Sequence, residues 1–207
     1  MPLADDEFES LASEYEDVVI DLGTGDGRFV LRTARERPQS LVIGIDPVKD
    51  AMADVARRAS AKQARGGVPN ALFLVASAEA LPAALSSRAS LLCVNYPWGS
   101  LLRTLVQPDP DGMRTVVGLL RRGGRLVALL NASVTDDRDY RERLGLPPLE
   151  DAHVDERLVP GWRESGLEGV IWHRLAPDEE PRHHTTWGRR LVRGSNRSTI
   201  VVEATRA

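Results

Sequence analysis

Short apolar runs alternate with amphipathic stretches along the whole chain of 207 residues. Val18-Val19-Ile20-Asp21-Leu22 is nearly unbroken apolar sequence, the pattern of a strand buried on both faces. A glycine-rich turn follows it, and residues 29–37 carry helical periodicity that Pro38 ends. Residues 41–45 predict a second strand, closed by Asp46-Pro47. Residues 49–65 predict a long amphipathic helix with Met52, Val55 and Ala59 on one face, stopped by Gly66-Gly67. Residues 71–75 and 91–94 predict a third and a fourth strand. Residues 112–121 read as a helix, and Gly123-Gly124 turns into a fifth strand at 125–130. A further helix is expected over 155–165, a sixth strand over 169–174 and a final alternating strand over 198–204. Residues 131–149, with Pro147-Pro148, read as a loop passing over the edge of the sheet.

Strand–helix alternation of this kind predicts a parallel α/β sheet with helices on both faces. The first two connections each carry a helix, as parallel crossovers require. There is neither an internal repeat nor a low-complexity tract, so one domain over 1–207 is expected.

Composition narrows the class. Hydrophobic residues make up 42% and charged residues 28%, which is globular and not disordered. The single cysteine, Cys93, excludes an internal disulfide. No apolar run approaches the roughly 20 residues of a membrane span. The acidic start lacks the basic-then-apolar order of a secretory signal. A cytoplasmic protein without a membrane partner is expected. His153, His173, His183, His184 and Cys93 do not make a zinc set, and no metal site is expected.

Charge changes the picture more. The formal net charge is −3, and only Lys49 and Lys62 among the 27 basic residues are lysines. Between Pro181 and Val202 stand Arg182, Arg189, Arg190, Arg193 and Arg197 with no acid. The −3 is therefore a +5 block on a body of −8. Such asymmetry suggests a polyanion-binding face, although an arginine bias or a solvated charge run would produce it too.

The candidate chemistry begins at the first turn. Asp21-Leu22-Gly23-Thr24-Gly25-Asp26-Gly27 lies between the first strand and its helix, where a parallel sheet keeps its ligand crevice. The spacing is G-x-G-x-G, and Arg28 occupies the place of the third glycine of a dinucleotide loop, which counts against a pyrophosphate cradle. Asp46, ending the second strand, is suited to accept hydrogen bonds from both hydroxyls of a ribose. Asp46-Pro47 equally fits a helix N-cap followed by proline at the first helical position. Together the loop and the acid favour a nucleoside-containing cofactor.

Asp21-x-Gly23-x-Gly25-x-Gly27 followed by Asp46 resembles the S-adenosylmethionine site of class I, Rossmann-like methyltransferases. The resemblance implies a seven-stranded, mostly parallel sheet with the last strand antiparallel. It implies S-adenosyl-L-methionine as cofactor and S-adenosyl-L-homocysteine as product. It places Asp21, Gly23, Thr24, Gly25 and Gly27 beside the methionine part, Asp46 and Pro47 at the ribose, and Ser77, Ala78 and Glu79 beside the adenine. Asn95 and Pro97, at the end of the fourth strand, complete the expected cofactor set.

A narrower likeness follows from Ala61-Lys62-x-Ala64-x-Gly66-Gly67-x-Pro69-Asn70, Ala78-Glu79-x-Leu81-Pro82, Pro97-Trp98-Gly99-Ser100-Leu101-Leu102 and Thr185-Thr186-Trp187-Gly188-Arg189-Arg190-Leu191. In this order they resemble the aminoglycoside-resistance methyltransferases, the Kam and Npm enzymes, that modify N1 of the decoding-site adenine of 16S rRNA. The likeness runs from about Glu7 to the end and is weakest over 131–154. It implies a flipped adenine held between Trp98 and Trp187, with Thr185 near the target nucleotide. Arg189, Arg190, Arg193 and Arg197 are then expected on phosphates, with Arg57, Arg58, Lys62 and Arg65 extending that surface. The partner implied is 16S rRNA in the intact 30S subunit, met by a monomer. Extensions near 95–110, 131–155 and 176–197 would form the base and RNA face.

A base methylated inside folded RNA must leave its stack and be held, commonly against aromatic faces. N1 of neutral adenine has a free lone pair, so no general base is expected. Trp162 and Trp172 sit in helix and strand patterns and are assigned to packing. Asn95-Tyr96-Pro97-Trp98 also resembles the Asn-x-Pro-aromatic signature of adenine-N6 methyltransferases, which leaves N6 as an alternative attacked atom. A methyltransferase-fold RNA-binding protein with little turnover is the alternative of a different class.

Overall fold

The computed structural model describes residues 5–175 and 198–207. Strands β1 (Asp17–Leu22), β2 (Ser40–Asp46), β3 (Ala71–Val75), β4 (Ala89–Asn95), β5 (Leu120–Asn131), β6 (Leu167–Arg174) and β7 (Thr199–Arg206) form one sheet in the order β3-β2-β1-β4-β5-β7-β6. The pairings from β3 across to β5 are parallel, and β7 runs antiparallel to both β5 and β6. The expected seven-stranded sheet with an antiparallel last strand is therefore the one formed. Strand order reverses between β1 and β4, so the carboxyl ends of β1, β2 and β4 open on one crevice.

Strand alternation divides the apolar residues between two layers. Val19, Val42, Leu91, Cys93 and Val127 face Phe29, Val30 and Ala34 of α2 (Arg28–Glu36) and Val55 and Ala59 of α3 (Lys49–Ala59). Val18, Ile20, Leu22, Ile43, Leu92 and Leu126 point the other way. They meet Phe8 of α1 (Asp5–Ala12), Leu102 and Leu105 of α4 (Gly99–Val106), Met113 of α5 (Pro110–Leu119) and the segments towards the sheet's other end. Burial on both faces explains why β1 and β2 are almost continuously apolar. Trp162 is fully buried and donates from its indole nitrogen to the Leu105 carbonyl at 3.0 Å. Trp172 packs half-buried at the margin, bonded to Asp155 at 2.7 Å. Both tryptophans pack as expected.

Three expectations about local structure fail. The helix expected over 49–65 ends at Ala59. There the chain folds back, Val68 N–H donating to the Ala59 carbonyl, and only a short 3₁₀ turn, Gln63–Arg65, remains beyond it. β5 starts at Leu120, before the glycine pair expected to precede it. Leu120 already pairs with Ala89, and Gly123-Gly124 form an irregularity within the strand. The stretch 131–149 is not a loop. A 3₁₀ turn, Ala132–Thr135, leads into α6 (Arg138–Leu144), whose cap Asp137 accepts from Tyr140 N–H at 2.9 Å and which Gly145 ends in left-handed conformation. Beyond it α7 (Asp151–His153) continues through a π-turn, Val154–Leu158, into α8 (Val159–Glu164).

Candidate functional site

The crevice at the strand ends has a volume of about 330 Å³. Every residue expected at the cofactor lines it except Gly27, and so does Trp98. Gly27 does other work. It starts α2 with φ +69°, and a Cβ there would sit 2.6 Å from the Phe73 ring. Its glycine lets the helix start approach β3.

The glycine loop is tied to β2 through its backbone. Gly23 N–H and Thr24 N–H both donate to the Ile45 carbonyl, at 2.8 and 3.0 Å. Gly25 N–H donates to Asp46 Oδ2 and Val48 N–H to Asp46 Oδ1, each at 2.9 Å. Asp46 thus spans from the loop to the entrance of α3. It is not the helix cap: Val48 holds that position, and Pro47 precedes it. One bond to each oxygen leaves further lone pairs on both, as an acceptor of two hydroxyls needs. Gly25, at φ +57°, has nothing within 4 Å of where a Cβ would stand, so its open side adds to the crevice.

Asp21 is buried beneath the loop and accepts from Asn95 Nδ2 at 2.8 Å. Burial raises its carboxyl to about 6; the nearby Thr24 hydroxyl and the Asn95 hydrogen bond pull it down, and the charges of Asp46 and Asp26 push it further up. A cation in the crevice would favour its ionised form. Asn95 is committed to Asp21 through its nitrogen, while its oxygen is buried without a partner among the described residues. Glu79 is held below the usual carboxylate range, first by Ser100, then by its own backbone N–H and by Ser77. Ser100, within the motif that follows Trp98, thus acts from α4 on the segment after β3.

At the end of β4 the chain reverses through Tyr96, a non-glycine residue at φ +53°. Such a conformation costs of order 1–3 kcal/mol and persists where surrounding contacts impose it. Tyr96 N–H donates to the Leu129 carbonyl at 2.8 Å, and its ring is buried beside Leu129 and Val201. The reversal brings Pro97 under the crevice and leaves Trp98 53% exposed at the start of α4. Trp98 meets the Tyr140 ring edge-to-face, centroids 5.4 Å apart. Tyr140 lay in the stretch expected to be a loop, and only its spacing from Asp137 and Leu144 hinted at a helix there.

Arg57 and Arg58 are exposed on α3, Arg57 paired with Asp54. Lys62 and Arg65 are exposed beyond the helix, not on it. Thr185, Trp187, Arg189, Arg190, Arg193 and Arg197 lie outside the described residues. Among the described residues no group of three or more His, Cys, Asp and Glu side chains is placed to hold a metal, and no helix is long and apolar enough to cross a membrane.

Residues 1–206 match the model of the NpmA family, described as 16S rRNA (adenine(1408)-N(1))-methyltransferase. A relative from Streptoalloteichus tenebrarius bearing that same description is 37% identical over 203 residues, covering 96% of this chain and 91% of its own. The solved aminoglycoside resistance methyltransferase NpmB1 is 40% identical, with a TM-score of 0.85 over 100% of this chain and 95% of its own. A mutant of the 16S rRNA (adenine(1408)-N(1))-methyltransferase from Catenulisporales acidiphilia, solved with cosubstrate SAM, is 28% identical, with a TM-score of 0.88 over 100% of this chain and 93% of its own.

Proposed function

Because this chain belongs to the NpmA family of 16S rRNA (adenine(1408)-N(1))-methyltransferases, we propose that it transfers a methyl group from S-adenosyl-L-methionine to N1 of adenine-1408. The modification is of the kind associated with aminoglycoside resistance. The substrate is 16S rRNA within the intact 30S subunit, and the enzyme is a monomer of one cytoplasmic domain.

The observation that carries the proposal is one crevice flanked by a ribose acceptor and a half-exposed tryptophan. Asp46, whose two oxygens each retain acceptor capacity, and Gly25, whose open side a Cβ would fill, fit a nucleoside-bearing cofactor. Asp46 would hold the ribose, Ser77, Ala78 and Glu79 would flank the adenine, and Asp21 would face the cationic methionine end. When bound, the cofactor supplies an electrophilic methyl group. The protein's own residues orient the acceptor. Trp98 offers an indole face to a base taken out of its stack, worth roughly 1–3 kcal/mol by analogy with other base–aromatic contacts. Trp187 is assigned the opposing face, and Thr185 the support of the target nucleotide. No side chain need remove a proton, because the N1 lone pair is free in neutral adenine.

The family match favours N1 over N6, and Asn95 commits its side-chain nitrogen to Asp21. Arg57, Arg58, Lys62 and Arg65, with Arg189, Arg190, Arg193 and Arg197, are assigned to the rRNA backbone, and binding should weaken steeply with salt despite the net charge of −3. Nucleoside mass spectrometry of 16S rRNA from treated 30S subunits tests the chemistry. N1-methyladenosine is expected; N6-methyladenosine or no methylated adenosine would overturn it.

A further inference from the structure

Trp98 is the large side chain on which the proposed base-stacking depends, yet it is 53% exposed and begins α4 without a side-chain cap of its own. An exposed indole beside a left-handed glycine, Gly99 at φ +60°, has little to fix its plane. The constraint comes from 41 residues further along. The Tyr140 hydroxyl oxygen accepts from Gly99 N–H at 3.1 Å, and the Tyr140 ring stands at 77° to the indole. One side chain thus holds both the backbone after Trp98 and the indole itself.

Tyr140 is well placed to impose that order because its own support is firm. Asp137 caps the helix on the Tyr140 N–H. Leu144, Leu146 and Leu149 pack against or within the main core. Thr135 Oγ1 donates to the Ala132 carbonyl at 2.8 Å and accepts from Leu149 N–H at 3.0 Å, closing both ends of the excursion. Arg141 reaches back to the Thr135 carbonyl, and the Arg143 guanidinium lies 5.2 Å from the centre of the Tyr140 ring. The Tyr140 ring packs partly against that core and at the same time reaches the Trp98 indole, which lines the crevice.

We propose that Tyr140 is a positioning residue for methyl transfer, holding Gly99 and the Trp98 indole so that the indole face meets the target base already oriented. This rests on the base-stacking role proposed above. An edge-to-face aromatic pair corresponds to about twofold to tenfold in an equilibrium or rate, and orientation of reacting groups is sensitive to small displacements.

The test is a double-mutant cycle on single-turnover methyl transfer to intact 30S subunits at saturating S-adenosyl-L-methionine. Tyr140→Ala is expected to slow transfer about fivefold or more while the dissociation constant of S-adenosyl-L-methionine stays within about twofold. In a Trp98→Ala background the same substitution should cost less than about twofold. Tyr140→Phe, which keeps the ring and loses the acceptor for Gly99 N–H, should fall between; it carries the test if Tyr140→Ala does not fold. Equal losses in both backgrounds, an unchanged rate, or a loss that follows cofactor affinity would overturn the proposal. No transfer by the parent chain would overturn the substrate assignment and this proposal with it. Transfer by the parent with an inert Tyr140→Ala would remove the proposal alone.

Discussion

The two walls of the crevice are made by different means. On the side of β1 and β2, main-chain groups and a carboxylate form the surface: the glycine loop is bonded to the Ile45 carbonyl, and Asp46 is held by Gly25 and Val48 N–H groups. On the side of β4, aromatic side chains form it, a strained Tyr96 and an exposed Trp98, the latter in contact with Tyr140 from a distant helix. The first wall suits a ligand of fixed shape that is always the same. The second suits a flat base that must arrive from elsewhere, because an indole face stacks without demanding hydrogen bonds. If the walls hold the ligands proposed for them, cofactor affinity and base handling are separable, and substitutions should sort accordingly.

The largest effect is expected on the first wall. Asp46→Ala removes two backbone anchors and the proposed ribose acceptor, and charge-assisted hydrogen bonds are worth roughly 1.5–3 kcal/mol each. Calorimetry should find cofactor affinity lower by about two to three orders of magnitude. An affinity within tenfold of the parent would break the assignment of this wall. Next comes the second wall. Trp98→Ala should leave cofactor affinity within about twofold and slow methyl transfer to 30S subunits by roughly 10–100-fold. A matched loss of both would erase the distinction between the walls.

The smallest effect sharpens the first wall by pH. Asp21 has a folded pKa of about 6 against an ordinary value of 3.8. The folded chain therefore holds more protons than the unfolded chain in that window, and this group's contribution to stability falls as pH rises from about 4 to 6, by up to about 3 kcal/mol. A cationic ligand needs the ionised form, so cofactor affinity should fall by up to about tenfold from pH 7 to pH 5. Asp21→Asn should flatten that dependence and stabilise the ligand-free chain above pH 6. A pH-independent affinity in the parent would remove Asp21 from the cationic end.

How legible each wall was in the sequence follows from the same contrast. The glycine spacing and Asp46 are local signals, since a turn after a strand needs its glycines within a few residues. Asp46-Pro47 was ambiguous because its second role, bonding Gly25 N–H, depends on β1 lying beside β2. On the other wall Trp98 stood out by its prolines and glycines, but Tyr140 did not. Nothing within 131–149 announces a partner 41 residues upstream, and Pro147-Pro148 suggested a loop. Ser100 stood inside a quoted motif, but its effect on the Glu79 carboxyl did not show there, because Glu79 belongs to another strand's connection. The end of α3 was misplaced because Gly66-Gly67 mark the reversal, while the stop at Ala59 is made by Val68 returning to its carbonyl. Local chemistry was readable; pairings across the sheet were not.

The central claim is that both walls converge on one adenine of the decoding site. Primer extension by reverse transcriptase across that region, on intact 30S subunits incubated with the protein and saturating S-adenosyl-L-methionine, tests it most directly, because a methyl group on N1 blocks the pairing edge. A stop is predicted next to adenine-1408 that requires both protein and cofactor and disappears with Trp98→Ala at short times. Methylated subunits with no stop there, or with the modification at a different adenine, would contradict it.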